Sequence, residues 1–233
     1  MDINLYHYDD FMSACLNKRV YSLNKIPINY KIEDNEAEFI YCKTPSIDFL
    51  NHQKLIKQGF NLIDVNVKLK YKFNNKIDNY YSENIRKVDQ LDRDVVKDLA
   101  QNSFIYDRFH KDTKILNNRA SDLKKRWVDN YFIGKRGDNL LVSQINDEIV
   151  GFILLIEKEK EVIIDLIAVH KSYRQLGIAK NLIKESFNIY KEKQKDFIVA
   201  TQITNLPSLN LYQEIGFKII GTNFVWHWHK NKI

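Results

Sequence analysis

Residues 163–183 read IIDLIAVHKSYRQLGIAKNLI, and this stretch decides the fold. Ile163 to Val169 is an apolar run of strand length, broken only by Asp165. A short polar loop follows. Apolar residues then recur at Ile178, Leu182, Ile183, Phe187 and Tyr190, a spacing that puts them on one helical face. Between strand and helix stands Arg174-Gln175-Leu176-Gly177-Ile178-Ala179. A strand that enters a helix through a glycine-bearing turn leaves backbone N–H groups free at the helix start, where the helix dipole adds positive potential. Such a turn suits a phosphate. It is neither the dinucleotide fingerprint, which needs G-x-G-x-x-G, nor a P-loop, since no Gly-Lys-Ser/Thr follows. The plain alternative is an ordinary tight turn; spacing, strand and helix together favour the phosphate.

Arg174, Gly177 and Ala179 fill the pattern R/Q-x-x-G-x-G/A, with Leu166-Ile167-Ala168-Val169 as the preceding strand. In this the chain resembles the GNAT acyltransferase superfamily. The downstream order agrees: an apolar run Asp196 to Thr201, then Asn205, Pro207-Ser208, a helical Leu209 to Ile215, Gly216-Phe217, and a last run Lys218 to Trp228. The resemblance implies an α/β (α+β) fold with a mixed central sheet flanked by helices. It also implies acetyl-CoA or another acyl-CoA as co-substrate, with no metal and direct transfer to an amine. Carried over by position, the backbone of Ile167, Ala168 and Val169 would hold the pantetheine arm like an added strand. Arg174 and the N–H groups of Gln175, Leu176, Gly177, Ile178, Ala179 and Lys180 would hold the pyrophosphate. Asn205 falls on the family's asparagine, and Tyr212 on the tyrosine that protonates the departing thiolate. A core tyrosine packed on the sheet is the competing reading of Tyr212.

Composition bounds the class. The chain has 233 residues and a net charge of +6, from 36 Lys and Arg against 30 Asp and Glu. That length allows one large or two small domains with a sizeable core. The charges are interleaved, as in Lys124-Lys125-Arg126 and Glu157 to Glu161. Interleaving reads as solvated surface on a protein that handles small anions, with neither nucleic acid nor membrane as partner. Cys15 and Cys42 give no disulfide framework and no metal spacing. The opening residues lack the basic start and apolar stretch of a secretion signal, which predicts a cytoplasmic location.

Residues 1–80 read as a smaller N-terminal domain and 81–233 as the catalytic one, with Asn74, Asn75, Asp78 and Asn79 as a linker. The first part offers strands at 38–42 and 61–73 and a helix at 47–58. Ile63, Val65, Val67 and Leu69 alternate onto one face of a half-buried strand. The second part offers helices at 93–102 and 120–130 and a hairpin around Asn146-Asp147. The order strand, helix, Gly-Phe, long strand occurs twice, through Gly59-Phe60 and through Gly216-Phe217. We read the first copy as a truncated GNAT-like half without a phosphate turn; a coincidence of two strand-helix-strand units fits the letters equally well.

A truncated first domain joined to a full GNAT domain resembles the dTDP-fucosamine acetyltransferases, which N-acetylate a dTDP-linked amino-dideoxy sugar in bacterial surface-polysaccharide synthesis. The marks are Ser103-Phe104, Arg108-Phe109 with Asp112, and Val199-Ala200-Thr201-Gln202 before Asn205. The resemblance implies a nucleotide-linked amino sugar as acceptor and a homodimer. A GNAT enzyme acting on another amine, or an inactive GNAT-fold binding module, are the rivals.

Among the remaining candidates, Asp165 interrupts an apolar strand beside the cofactor turn. It is either a base whose pKa burial would raise or a strand residue facing solvent. His110 is a second base candidate, or a surface histidine. Arg108 suits bidentate phosphate binding, with Phe109 beside it; a structural ion pair suits it equally. His227 and His229 share a strand face and match a metal pair geometrically. No carboxylate or cysteine stands at supporting spacing, so a plain strand-end pair is the expectation.

Overall fold

The computed structural model describes residues 6–24, 36–73 and 82–230; the linker expected at 74–79 lies outside them. In chain order the elements are β1 (Tyr6–Tyr8), α1 (Asp10–Leu16), β2 (Val20–Leu23), β3 (Phe39–Pro45), α2 (Phe49–Lys57), β4 (Asn61–Tyr71), β5 (Ile85–Lys87) and α3 (Arg93–Ser103). There follow α4 (Arg108–Lys111), α5 (Asn117–Phe132), β6 (Asn139–Ile145), β7 (Glu148–Glu157) and β8 (Glu161–Val169). The chain closes with α6 (Ile178–Tyr190), β9 (Asp196–Gln202), α7 (Leu206–Ile215) and β10 (Lys218–His229). The β6–β7 turn places Asn146 and Asp147 at φ 50° and 64°, the positive φ a two-residue hairpin loop needs.

All ten strands form one mixed sheet in the order β1-β2-β3-β10-β4-β9-β8-β7-β6-β5. The two halves of the chain are therefore hydrogen-bonded into a single sheet. β10 lies antiparallel between β3 and β4, and β4 lies antiparallel between β10 and β9. The strand-helix-strand unit β3-α2-β4 and its counterpart β9-α7-β10 thus interlock, each slotting its second strand between the two of the other. The repeated Gly-Phe pattern marks this interlock: Phe60 and Phe217 are both buried at the entry to the long strands.

Apolar clusters cover both faces. On one face α6 and α7 bury Ile178, Leu182, Phe187 and Tyr212 against Val67, Leu69 and Val162, and α2 adds Leu55 beside Trp226. On the other, α3 and α5 bury Leu99 and Val128 against Val142 and Phe152, and α1 and α4 add Met12 and Phe109 against Phe39. The alternation expected in β4 is corrected here. Val67 and Leu69 are buried, but Ile63 and Val65 are only half-buried, while Asp64 and Asn66 are buried on the α4 side. β4 is an interior strand with a helix over each face, so polar residues are enclosed there too.

Candidate active site

β8 carries the decisive irregularity. Opposite β7, Ile164 pairs with Leu155 and Leu166 with Leu154, so Asp165 is an extra residue, a β-bulge. The bulge reverses the strand's faces. Ile164 packs on the α6 side, whereas Leu166 and Ala168 pack beneath α3 and α5. On its other edge β8 pairs with β9 only from Glu161 to Ile164, although β8 runs on to Val169 and β9 to Gln202. The two strands part at the bulge. The β8 edge at Ile167, Ala168 and Val169 faces the gap, and Ala200 is exposed although β9 is an interior strand.

The turn after β8 ends at the same gap. Gln175 and Gly177 have φ of 65° and 76°, and Gly177 is the N-cap of α6 with no side chain capping the helix. The first N–H groups of a 13-residue helix are thus presented by an exposed segment, Arg174 to Gly177. A Cβ on Gly177 would meet no protein atom within 4 Å; the glycine is demanded by φ and leaves open space in front of the helix. Behind the turn, a Cβ on Gly151 would come within 3.1 Å of Ile178 and 3.2 Å of the Ala168 carbonyl, so α6 lies close on β7 and β8. Arg174 donates to the Val169 and Ser103 carbonyls, tying turn to strand and to α3. Lys180 pairs with Glu214. An open, positively polarised helix start beside an unpaired strand edge fits a phosphate-bearing, amide-rich chain such as coenzyme A.

Asn205 caps α7, accepting from Ser208 N–H and donating to Thr201 Oγ1 at 3.2 Å. Tyr212, on α7, is 2% exposed in the α6-side core with its ring 5.5 Å from that of Phe217, and burial raises its pKa.

Asp165 is neither a free base nor a solvent-facing residue. Its carboxylate accepts from Arg136 Nε and Nη2, each at 2.6 Å, and from Trp127 Nε1 at 2.9 Å. A carboxylate held bidentate by a guanidinium is committed to that pair. His110 is likewise engaged at both ring nitrogens, with Asp107 at 2.9 Å and Ser121 at 3.1 Å. Phe109, expected against the acceptor, is a core side chain at 2% exposure. The Arg108 guanidinium stacks 4.5 Å from the Phe109 ring centre and 4.3 Å from that of Tyr41.

His227 and His229 have the partner that short spacing did not reveal. Asp112 Oδ2 accepts from His227 Nδ1 at 2.6 Å and from His229 Nε2 at 2.7 Å, within the buried interior. The three groups come within 4.8 Å of one another. The far ring nitrogens, which a metal ligand normally engages with an outer acceptor, are buried without partners. The arrangement is a hydrogen-bonded clamp that fastens β10 to the loop between α4 and α5.

On that same face a cavity of 780 Å³ opens between α1 and α5, lined among others by Asp9, Tyr41, Arg108, Trp127 and Arg136. Trp127 and Arg136 link it to Asp165, and so to the point where β8 and β9 part. Sequence reading missed Tyr41, Trp127, Lys124 and Arg136. Their only signal was polar or amphipathic residues on otherwise apolar faces.

A fold of this topology, with strands parting beside an uncapped helix start, defines a class, and comparison with known proteins gives its family. Residues 99–217 match the model of the acetyltransferase (GNAT) family, about half of the chain, which therefore belongs to that family. Members of the family use acetyl-CoA. The spore coat polysaccharide biosynthesis protein SpsD of Bacillus subtilis is 25% identical over 137 residues, 58% of this chain and 47% of that protein. An N-alpha-acetyltransferase of Sulfurisphaera tokodaii is 30% identical over 94 residues, 33% of this chain and 54% of that protein. The matched segments thus span about half the length of these relatives. A functionally unknown conserved protein from Staphylococcus epidermidis shares the fold over 99% of this chain and 93% of its own, with a TM-score of 0.68 at 13% identity. Among the described residues no helix is long and apolar enough to cross a membrane.

Proposed function

We propose that the protein moves an acetyl group from acetyl-CoA directly to the amine of a nucleotide-linked amino-dideoxy sugar, in the synthesis of a surface polysaccharide. One observation carries the reading: β8 and β9 part at Asp165, between the open start of α6 and a cavity lined by Arg108. The relation to a polysaccharide biosynthesis protein supports the choice of acceptor. In this reading the N–H groups from Gln175 to Lys180, with Arg174, hold the pyrophosphate. The edge of Ile167, Ala168 and Val169 holds the pantetheine arm, with Asn205 keeping the opposite helix in place. Holding thioester and amine together makes the transfer an effectively unimolecular step. Asp165 fixes Trp127 and Arg136 at the cavity floor. Tyr212 is the assigned acid for the leaving thiolate. An unshifted phenol is about 1.5 pH units weaker than a simple thiol, a cost of about 2 kcal/mol, and burial makes that cost larger. Arg108 engages the acceptor's anionic part.

A second reading, transfer to a protein's terminal amine, is favoured by the similarity to the N-alpha-acetyltransferase of Sulfurisphaera tokodaii. Thiol release from acetyl-CoA, measured with a panel of dTDP- and UDP-linked amino sugars and with short peptides, separates the two. Release with a sugar nucleotide is the expected result; release with peptides alone overturns it.

A further inference from the structure

Three cations from three elements come together on the sheet face covered by α1, α4 and α5: Lys43 of β3, Arg108 of α4 and Lys124 of α5. None has a carboxylate within 4 Å among the described residues, whereas the neighbouring lysines and arginines do. Arg108 Nη1 is buried without any partner. Lys124 is 8% exposed, and its ammonium meets aromatic rings, 4.8 Å from Trp127, 5.1 Å from Phe104 and 5.9 Å from Phe109. Lys43 is exposed, and desolvation with the charges of Arg108 and Lys124 lowers its pKa to about 8.

The nearby acids are already spoken for. Asp107 accepts from His110 and from the N–H groups of Phe109 and His110. Asp64 pairs with Lys111, Asp9 accepts from Tyr41 and Met12, and Asp112 holds the two histidines. Enclosed charge without a direct ion pair is costly, and the like charges of Arg108 and Lys124 add to the cost. The N-terminal and catalytic halves both contribute, Lys43 from one and Arg108 and Lys124 from the other.

We infer that Lys43, Arg108 and Lys124 form a binding site for the diphosphate of the acceptor, with the N-terminal half supplying one of its three anchors. The diphosphate of a sugar nucleotide carries two negative charges, which offset most of the positive charge of the cluster, and the guanidinium fork matches its paired oxygens. The site deepens the proposed reading and rests on it for the identity of the acceptor. It also gives the interlocked N-terminal half a chemical part to play.

The test is calorimetric titration with inorganic pyrophosphate and with dTDP, in saturating coenzyme A so that the Gly177 turn is occupied. Wild-type protein should bind both. Lys43→Met and Lys124→Met should each weaken binding about tenfold or more, while coenzyme A affinity stays at the wild-type value and shows each variant folded. Unchanged dTDP and pyrophosphate affinity in folded Lys43→Met and Lys124→Met proteins overturns the site, as does a wild type that binds neither. Binding that depends on Lys43 and Lys124, without acetylation of any sugar nucleotide, upholds the anion site and overturns only the sugar acceptor.

Discussion

His227 gives the sharpest test of the buried clamp. It is 0% exposed on the inner face of β10, and burial pulls its pKa down to about 4, against the opposing pull of Asp112. In the unfolded chain an imidazole titrates near 6.5. The folded state therefore resists a proton that the unfolded state accepts. The clamp's stability is complete above about pH 6.5 and is lost as pH falls toward 4. The full gap corresponds to about 3 kcal/mol, of which about 2 kcal/mol is lost between about pH 7.5 and pH 5. Asp112 acts in a lower window. Burial alone would raise its pKa, but the hydrogen bonds from His227 and His229 hold its carboxyl well below the usual range. Its contribution thus fades only below about pH 4. Urea unfolding of wild type and His227→Asn at the two pH values measures the effect. The asparagine amide can still donate to Asp112 but does not titrate, so the wild type should lose about 2 kcal/mol more than the variant on acidification. Equal losses in the two proteins would refute the buried, neutral imidazole.

Three further outcomes follow from the site. Gly177→Val should leave a folded protein, destabilised by about 1–2 kcal/mol for its left-handed φ, that no longer gains melting temperature from coenzyme A; an undiminished gain removes the turn from the cofactor site. Asp165→Asn should cost about 1.5–3 kcal/mol of stability by loosening Arg136 and Trp127 while the pH profile of turnover keeps its shape, whereas loss of the acidic limb from that profile would restore Asp165 as the base. Tyr212→Phe should lower turnover about 100-fold or more with coenzyme A affinity and folding nearly unchanged; full turnover would make Tyr212 the core residue its burial also allows.

What the sequence revealed follows from the range of each interaction. The β8 strand, its turn and α6 are legible because their signals are local: an apolar run, Gly177, and one helical stripe. In the N-terminal half β3, α2 and β4 were legible within a few residues for the same reason, whereas β1, α1 and β2 were not foreseen. The clamp was not, because Asp112 lies 115 and 117 residues from the two histidines it holds. Nor was the interlock of β3, β10, β4 and β9, since pairing order is set by contacts across most of the chain. The four-residue α4 has too few positions to show a period. The bulge at Asp165 was concealed by its own product. A strand that swaps faces still alternates between buried and half-buried along its whole length, although it serves one core before the bulge and another after it.

A sharper signal was present in the strands themselves. Lys43, Asp64, Asn66, Asp165, His227 and His229 are polar residues within strands that are otherwise largely apolar, spread over four strands. Taken singly, each reads as an edge residue facing water. The sheet order makes β3, β10, β4 and β8 interior strands, and where helices cover such strands few positions face water. Polar side chains there must be partnered to one another or to something bound. Asp64, Asp165, His227 and His229 have partners in Lys111, Arg136 and Asp112. Arg108 and Lys124, in the helices over this face, have no such ionic partner among the described residues, and neither has the exposed Lys43 beside them. That remainder is the observation from which the anion site is inferred.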